Sequence, residues 1–479
     1  MSKNGAQILV DTLKEEGVEV IFGLPGGAVI PLFDYLYDAP VRVLLTRHEQ
    51  GAGHMADGYA RATGKVGVCL TTSGPGATNL VTALATSYMD NVPVLALTGQ
   101  VKTNLIGNDA FQEADVTGIT RPVTKHNYLV KDVKDLARNV RESMYISSSG
   151  CPSPVLIDLP VDVTTAEVDG EVDKETDLPG YRPTLKGHSG QIKRAVEAIN
   201  EAERPVIYAG GGVLISEASE ELAQLARAAN VPVTTTLMGL GCFPEDDPLS
   251  LRMLGMHGTV YANYAVTECD LLVSIGSRFD DRVTGKLDAF APEAKIVHVD
   301  VSPASIGKSV RVDIPVVGDA KKVLEEMLDL VEHRDRTEWH EQIKEWKERF
   351  PLTYDRESDR VKPQYVMEQI HEVTDGEAII ATDVGQCQMW AAQYYTYTRP
   401  RTFLSSGGLG TMGYGLPAGI GAQVGCPDSD VFVIAGDGSL QMNIQELSTA
   451  VVEELPVKIA LLNNGYLGMV RQWQELFYD

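Results

Sequence analysis

The chain has 479 residues, more than one hydrophobic core supports, so its length predicts two or three domains. Its formal net charge is −25 and it has no basic stretch that could neutralise phosphates, which excludes a nucleic acid partner and indicates a solvated acidic surface. Six widely spaced cysteines without a C-x-x-C pair suit buried thiols in a reducing compartment. With no apolar signal core and no long apolar run, the sequence predicts a cytoplasmic protein with no membrane partner.

The first part of the chain alternates short β-branched runs with helical patterns, which predicts a parallel α/β domain over residues 1–165. Its predicted strands include Glu19–Gly23, Val41–Thr46, Val66–Leu70, Val92–Leu97 and Pro154–Ile157. An acidic stretch with prolines and no apolar period follows, and it predicts a linker over 166–188.

Two further α/β domains are predicted, at 189–332 and at 363–479. Between them, one charged helix is expected from Asp319 to Phe350, and 333–362 is assigned to a linker helix. The predicted strands are Pro205–Tyr208, Val231–Thr235, Leu271–Ile275, Lys295–Val299, Val431–Ala435 and Lys458–Leu462. The expected fold class is therefore α/β, with three doubly wound parallel-sheet domains.

Asp437 and Asn464 each follow a predicted strand near the C-terminus, and a helix from Gln441 to Val452 is expected between those strands. Loops at the carboxyl ends of neighbouring parallel strands lie side by side, so a carboxylate and an amide can meet there. These are the hard oxygen ligands that Mg²⁺ prefers, and Gly436 and Gly438 allow close approach to a phosphate. A bare Gly-Asp-Gly is common in ordinary turns, but together with Asn463–Asn464 it predicts a diphosphate-bound magnesium ion.

Glu49 lies between a predicted strand and a helix predicted from Gly51 to Thr63, exposed to a crevice at the carboxyl end of that strand. Glutamate in a first helical turn is also favoured by the helix dipole, so Glu49 alone has a purely structural explanation. Its presence together with the distal Gly-Asp-Gly and Asn-Asn pattern favours a functional role.

These patterns resemble the thiamin diphosphate enzymes, in which Gly-Asp-Gly and Asn-Asn flank a βαβ connection. Within that class the chain is similar from end to end to the catalytic subunits of the acetolactate synthase (acetohydroxyacid synthase) family. The segments that carry the resemblance are Phe22–Gly27, Arg47–Arg61, Asp109–Glu113, Gly276–Lys286, Ser405–Pro417 and Met469–Gln474.

The resemblance implies roles for individual residues. Glu49 would hydrogen-bond the aminopyrimidine nitrogen, Met412 would be the apolar wedge that bends the cofactor, and Asp437, Asn464 and the Tyr466 carbonyl would be the metal ligands. Met412 could also be a core methionine, and the two explanations are compatible because a wedge also packs. The full set expected to bind thiamin diphosphate is Gly26, Glu49, Gln386, Met412, Gly436, Asp437, Gly438, Ser439 and Asn464.

The implied activity is that of a transferase. Pyruvate is decarboxylated on thiamin diphosphate and the hydroxyethyl carbanion is joined to a second pyruvate or to 2-ketobutyrate, a step in the biosynthesis of valine, leucine and isoleucine. Arg282 would bind the acceptor carboxylate and Trp473 would favour the ethyl group of 2-ketobutyrate, while Phe111 and Gln112 would lie beside the reacting carbons. The residues counted as catalytic are Glu49, Gln112 and Phe111. The family also implies a homodimer or homotetramer with sites completed across the subunit interface, and a small regulatory subunit.

The central domain resembles one that holds FAD without redox use, and Ala209–Gly212 is a possible phosphate loop. The positions matched to FAD are His257, Gly258, Gly276, Arg278, Asp300 and Asp319. Three positions depart from the family pattern: Cys151 replaces an arginine, Val161 a lysine and Cys387 a histidine. Because the chain stops soon after Trp473, the last domain is expected to be C-terminally incomplete, without the helices that close over the site.

Three alternatives share part of this pattern. A pyruvate oxidase or a simple 2-ketoacid decarboxylase would keep Glu49, Asp437 and Asn464, but neither is expected to carry the Arg282 and Trp473 segments together. A catabolic, flavin-free acetolactate synthase would give the same product, although Gly276–Lys286 argues against it. A catalytically silent subunit would bind thiamin diphosphate without turnover.

Overall fold

The structure is a computed structural model that describes residues 2–169, 175–176 and 178–478, and every element below belongs to those ranges. Part of the predicted linker, 170–174 and 177, lies outside the described residues. The chain forms two compact units. Unit 1 contains residues 1–182, 379–385 and 404–479, and unit 2 contains 183–378 and 386–403.

The first strands of unit 1 are β1 (Lys3–Asn4), β2 (Val20–Leu24), β3 (Arg42–Leu45), β4 (Gly67–Thr71), β5 (Val94–Gln100), β6 (His126–Leu129), β7 (Val155–Pro160) and β8 (Glu167–Val168). All but β1 and β8 form a parallel sheet of order β3-β2-β4-β5-β7-β6. The helices are α1 (Gly5–Glu15), α2 (Ile30–Asp38), α3 (Glu49–Thr63), α4 (Pro75–Thr78), α5 (Val81–Met89), α6 (Val116–Thr120), α7 (Leu136–Ser148) and α8 (Val161–Thr165). Strands β1 and β8 pair antiparallel, so the start of the predicted linker is a strand of unit 1.

Unit 2 contains a parallel sheet of order β11-β10-β9-β12-β13-β14. Its strands are β9 (Pro205–Ala209), β10 (Val233–Thr235), β11 (Ser250–Met253), β12 (Leu271–Ile275), β13 (Lys295–Asp300) and β14 (Ile314–Val317). The helices are α9 (Ser189–Glu201), α10 (Gly211–Ile215), α11 (Ser219–Ala229), α12 (Val260–Glu268), α13 (Asp281–Thr284), α14 (Ala320–Leu328) and α15 (Thr337–Arg349). This order is that of a doubly wound dinucleotide-binding fold, whose switch point lies between β9 and β12.

A third sheet, of order β16-β15-β17-β18, has its buried strands β15 and β17 in unit 1. Its strands are β15 (Ile379–Thr382), β16 (Phe403–Leu404), β17 (Val431–Gly436) and β18 (Lys458–Leu462). Helices α16 (Pro363–Val373) and α17 (Gln386–Tyr394) belong to unit 2. Helices α18 (Gly415–Gly425), α19 (Asp437–Leu440), α20 (Leu447–Val452) and α21 (Gly468–Phe477) belong to unit 1. Short 3-10 helices cover Gly27–Val29, Thr103–Leu105, Arg121–Val123, Val133–Asp135, Leu237–Gly239, Leu287–Ala289 and Gln441–Glu446.

Within unit 1, helices α3 and α18 pack backbone against backbone. A Cβ on Gly58 would lie 2.1 Å from the Ala418 carbonyl oxygen, and one on Gly421 would lie 2.0 Å from that of Met55. Glycine is therefore needed at both positions, since it alone permits this approach. The Tyr414 hydroxyl adds a buried hydrogen bond to Asp57 at 2.7 Å, so the first and third sheets share one hydrophobic core.

Two predicted helices are wrong. The charged helix from Asp319 to Phe350 is two helices, because α14 ends at Leu328 and α15 begins only at Thr337. In the segment between them, the buried Arg336 side chain donates to the Ile199 and Ala202 carbonyls. Helix α15 buries Trp339 in the core of unit 2, so it is not a free linker. The helix from Gln441 to Val452 is a 3-10 helix followed by α20, with non-helical backbone at Asn443.

The α/β class with parallel sheets flanked by helices is confirmed, whereas the exact domain boundaries stay predictions. The predicted burial of the cysteines is only partly right. Cys69, Cys242, Cys269 and Cys387 are buried, but Cys151 and Cys426 are half-buried, and all six are free thiols. In the ranges that the structure describes, no helix is both long and apolar enough to span a membrane.

Candidate functional site

The turn after β17 presents a carboxylate oxygen that has no partner. Asp437 is the first residue of α19, and its Oδ1 is buried without a hydrogen bond. Gly436 pairs with Leu462 in the parallel ladder between β17 and β18, so this turn lies beside the Asn463–Asn464 turn, as predicted. A buried acceptor without a donor requires an explanation, and a cation provides one.

Asn464 is exposed and shapes its own turn. Its Oδ1 accepts the Tyr466 N–H at 2.9 Å, and the Arg471 guanidinium lies 4.2 Å from the centre of the Tyr466 ring. No group of three His, Cys, Asp or Glu side chains that could hold a metal occurs among the described residues. A magnesium ion at Asp437 would therefore depend on amide, carbonyl and phosphate oxygens, a donor set that suits it.

Met412 reaches the same turn. A Cβ on Gly438 would lie 2.8 Å from Leu467 Cδ2 and 3.9 Å from Met412 Cε, so both side chains lie near this glycine. The next residue, Gly413, has φ +87°, and its N–H donates to Asp383 Oδ1 at 2.8 Å. Its carbonyl accepts from Asn443 Nδ2 at 2.7 Å. The Met412 loop is thus held from both sides by residues that sequence reasoning missed.

Glu49 is the first residue of α3, and its side chain is half-buried. Its Oε2 accepts from Asn79 Nδ2 at 3.0 Å, and a Cβ on Gly76 would lie 3.5 Å from its Oε1. A Cβ on Gly26 would lie 2.6 Å from Thr72 Cβ, so Gly26 packs against the segment 72–79, which also contains Gly76 and Asn79. The structure therefore groups Glu49 and Gly26 around residues 72–79, and Asn79 and Thr72 had no signal in the sequence.

The loop of Phe111 and Gln112 adjoins this segment. Gln112 has φ +60°, an uncommon conformation for a residue with a side chain, and a Cβ on Gly74 would lie 2.8 Å from its carbonyl oxygen. Glu113 closes the loop by accepting the N–H groups of Gly107 and Ala110, and these bonds lower the pKa of its carboxyl group. Phe111 is 88% exposed, so the loop offers an aromatic side chain to a ligand or to another chain.

The remaining predicted residues of these sites lie on separate elements. Trp473 is half-buried on α21 and packs on Phe477 with ring centres 5.0 Å apart. In unit 2, Gln386 is the first residue of α17, and Arg282 lies on α13 with its side chain 62% exposed. Their predicted roles in cofactor and substrate binding stay predictions.

In unit 2 the glycines of the possible phosphate loop pack against another turn. A Cβ on Gly210 would lie 2.2 Å from the Gly276 carbonyl oxygen, and one on Gly212 would lie 2.6 Å from Gly276 Cα. Gly276 itself has φ +61°. The contact between the two turns thus explains why Gly210, Gly212 and Gly276 are glycines, without a ligand.

Other groups at this sheet edge are suited to a polar ligand. Thr235 Oγ1 and Thr236 Oγ1, at the carboxyl end of β10, are buried without hydrogen-bond partners. Asp300, at the end of β13, accepts the Ser302 N–H at 2.7 Å, and burial raises the pKa of its carboxyl group to about 6. A nucleotide with hydroxyl groups fits such acceptors and donors.

The other residues matched to FAD have partners within unit 2. The His257 carbonyl accepts from Gln393, and burial, with Arg282 nearby, lowers the pKa of the imidazole. Asp319 caps α14, and Arg278 pairs with Asp280 at 3.0 Å. A Cβ on Gly258 would lie 2.3 Å from the Met253 carbonyl oxygen, so packing also explains this glycine.

The three departures from the family pattern have ordinary surroundings. Cys151 Sγ donates to Asn91 Oδ1 at 3.0 Å, and its carbonyl accepts from Lys125, whose pKa burial lowers to about 8. Val161 begins α8, and Cys387 is buried in α17.

Three family models match the chain in order. They are described as thiamine pyrophosphate enzyme, N-terminal TPP binding domain (residues 3–119), central domain (192–327) and C-terminal TPP binding domain (383–479). The turns of Glu49 and Asp437 thus belong to the two domains of a thiamine pyrophosphate (thiamin diphosphate) enzyme that bind the cofactor.

Similar proteins identify the family within the thiamine pyrophosphate enzymes. The chain is 53% identical to the acetolactate synthase large subunit of Corynebacterium glutamicum, over 99% of this chain and 77% of the relative. It is 54% identical to the probable acetolactate synthase large subunit of Methanocaldococcus jannaschii (99% and 82%) and 49% identical to the acetolactate synthase large subunit of Haemophilus influenzae (99% and 85%). The chain belongs to the acetolactate synthase large-subunit family, which confirms the resemblance drawn from its motifs.

Proposed function

We propose that this chain forms acetolactate from two pyruvate molecules, and acetohydroxybutyrate from pyruvate and 2-ketobutyrate. The observation that carries the proposal is the likeness to acetolactate synthase large subunits along 99% of the chain. Product formation would place the enzyme at the start of branched-chain amino acid biosynthesis.

Thiamin diphosphate, when bound, supplies the carbanion-stabilising chemistry that decarboxylation of a 2-ketoacid requires. The chain would supply a proton relay through Glu49, whose Oε2 accepts from Asn79, while none of the described residues donates a hydrogen bond to its Oε1. A carboxylate fixed at one oxygen can hold or release a proton at the other, which is the task proposed for Glu49.

Asp437 would bind magnesium through Oδ1, the buried oxygen without a partner. Asn464 and the Tyr466 carbonyl would complete the protein ligands, and the metal would orient the diphosphate at the turn of Gly436, Gly438 and Ser439. Met412 would exclude water from the cofactor at this turn, because its methyl group lies 3.9 Å from the position that a Cβ on Gly438 would occupy.

The substrates would be selected by residues at the surface of the chain. Arg282 would pair with the acceptor carboxylate, for which a guanidinium provides two parallel donors. Trp473 would contact the ethyl group of 2-ketobutyrate, and Phe111 and Gln112 would contact the reacting carbons. FAD would bind unit 2 near Thr235, Thr236 and Asp300.

The relatives are named large subunits, which supports a small regulatory subunit as a partner. A homodimer or homotetramer would complete each site.

The test is product analysis by mass spectrometry. Purified protein receives thiamin diphosphate, Mg²⁺, FAD, pyruvate and 2-ketobutyrate, with Glu49→Ala in parallel. Acetolactate and acetohydroxybutyrate from the wild type alone support the proposal. Acetaldehyde alone indicates a decarboxylase, acetate or acetyl phosphate indicates an oxidase, and cofactor binding without product indicates a silent subunit; each of these overturns it.

A further inference from the structure

A buried carboxylate lies against the turn that precedes Glu49. Glu446 is fully buried, and its Oε1 accepts the His48 N–H at 2.9 Å and the Arg47 N–H at 3.1 Å. Its Oε2 accepts the Arg47 N–H at 3.2 Å and the Thr449 hydroxyl at 2.7 Å. Arg47 and Glu446 are 399 residues apart in the sequence, and both lie in unit 1.

The two backbone donors cannot be satisfied inside α3. His48 is the N-cap of this helix, and amide groups at and before a helix start have no intrahelical acceptor. A buried carboxylate is stable only when donors compensate its lost hydration, and here two of the three donors come from this turn. Glu446 and the turn therefore stabilise each other.

The fit around Glu446 is tight. A Cβ on Gly51 would lie 2.5 Å from Glu446 Oε1, so glycine in the first turn of α3 makes room for the carboxylate. The Arg47 side chain donates to Ser448 Oγ at 3.1 Å and to the Leu45 carbonyl at 2.9 Å. Residues 446–449 therefore hold the turn from β3 to α3 through both its backbone and its side chain.

Glu49 follows this turn directly, and the Cα of Glu49 cannot move independently of the His48 peptide. We infer that Glu446 is a positioning residue, which fixes the Arg47–His48 turn and thereby the carboxylate of Glu49 against Asn79. This inference rests on the proposed function of Glu49. The segment 446–449, which follows the turn Gly436–Ser439, would then determine the position of the Glu49 carboxylate.

The test compares Glu446→Gln with a matched control, Glu453→Gln. Glu453 also pairs with the strand before the turn, through Arg42 at 2.8 Å, but has no contact with the turn itself in the described structure. Amide hydrogen exchange of residues 45–49 is measured in the cofactor-free protein, and exchange of the thiamin C2 proton is measured by NMR with thiamin diphosphate and Mg²⁺ bound.

For Glu446→Gln we expect the Arg47 and His48 amides to exchange at least tenfold faster, and C2 proton exchange and kcat to fall at least tenfold. The KM for pyruvate should stay within threefold, and Glu453→Gln should match the wild type within twofold in every measurement. Unchanged C2 proton exchange in Glu446→Gln would overturn the inference, even if its thermal stability fell.

Glu49→Gln separates this inference from the proposed function. If Glu49→Gln retains wild-type C2 exchange, the proposed role of Glu49 is wrong; if Glu49→Gln loses it while Glu446→Gln keeps it, only the positioning role is wrong. If Glu446→Gln does not fold, the same measurements on Thr449→Val test the positioning role of Glu446. Losing one donor to Glu446 should speed amide exchange of the turn and lower kcat at least twofold, and wild-type values of both would contradict the inference.

Discussion

The turn Gly436–Ser439 in unit 1 and the turn Gly210–Gly212 in unit 2 both follow a parallel strand and both begin a short helix. Around Gly210 and Gly212, the missing Cβ atoms are replaced by the backbone of Gly276. A Cβ on Gly436 would instead meet only Ser439 Oγ, at an ordinary 3.5 Å, while the neighbouring Asp437 keeps a buried oxygen unpaired.

Glycines in a turn therefore do not by themselves indicate a phosphate site. Those of unit 2 are required by packing between two turns of the protein, whereas the packing around Gly436 leaves room for a side chain. Buried polar atoms without partners also occur away from these turns, for example at His54 and Ser143, so they add to the argument only beside a turn that has room for a ligand. Beside the two turns compared here they are Asp437 Oδ1 in unit 1 and the Thr235 and Thr236 hydroxyls in unit 2.

The largest effect is expected from Asp437→Ala. Removing the free oxygen should lower magnesium-dependent binding of thiamin diphosphate, and activity, at least a hundredfold, because no other carboxylate is available in the turn. Binding is measured by titration at several Mg²⁺ concentrations. The control is Asp430→Ala, at the opposite end of β17, where the carboxylate pairs with Lys458. Equal Mg²⁺ dependence in both variants would contradict the proposed role.

A smaller effect on stability is expected from Gly210→Ala. The added Cβ would clash with the Gly276 carbonyl, which neither turn can avoid without moving its backbone, so unit 2 should lose about 1–3 kcal/mol of unfolding free energy. Urea unfolding followed by tryptophan fluorescence reports this, because Trp339, Trp346 and Trp390 are all in unit 2.

Gly436→Ala is the matched substitution in unit 1. Its unfolding free energy should stay within about 0.5 kcal/mol of the wild type, while thiamin diphosphate binding weakens at least fivefold if the glycine serves the ligand. A large stability loss in Gly436→Ala, or none in Gly210→Ala, would remove the contrast between the two turns.

A further effect, limited to the pH dependence of stability, is expected at Asp300. Burial raises the pKa of this carboxyl group to about 6, above its ordinary value of 3.8, so the folded state binds the proton more tightly than the unfolded state. Stability should therefore fall as the pH rises from about 4 through 6, and Asp300→Asn should escape that loss. Calorimetry at pH 4.5 and pH 8 should show Asp300→Asn gaining on the wild type by about 1–2 kcal/mol at the higher pH. A gain that is equal at both values would contradict the assignment.

The sequence predicted those features that depend on local pattern. Strands Leu271–Ile275 and Lys458–Leu462 have the predicted bounds, because each is a short apolar run between turn residues. The placement of Asp437 beside the Asn463–Asn464 turn followed from the parallel pairing of their strands.

Features that depend on distant partners were missed or wrong. In the break between Leu328 and Thr337, the Arg336 side chain donates to carbonyls more than a hundred residues away, and periodicity in a charged segment does not reveal such contacts. Glu446 and Asn79 are ordinary polar residues in the sequence, and only the fold brings Arg47 to the first and Glu49 to the second. Gly210 and Gly212 were assigned to a possible phosphate loop because the sequence does not show that they pack against Gly276, which belongs to a distant turn.

The close contact of α3 with α18 also affects how the chain is made. Asp57 on α3 and Tyr414 at the start of α18 are 357 residues apart, which at ribosomal speeds of about 5–20 residues per second corresponds to roughly 20 to 70 s. During that interval the glycine-rich face of α3, including Gly58, has no partner, and the central segment emerges before one is available. The helix that begins with Glu49 therefore reaches its final packing only after α18 (Gly415–Gly425) has been synthesised and has docked on it.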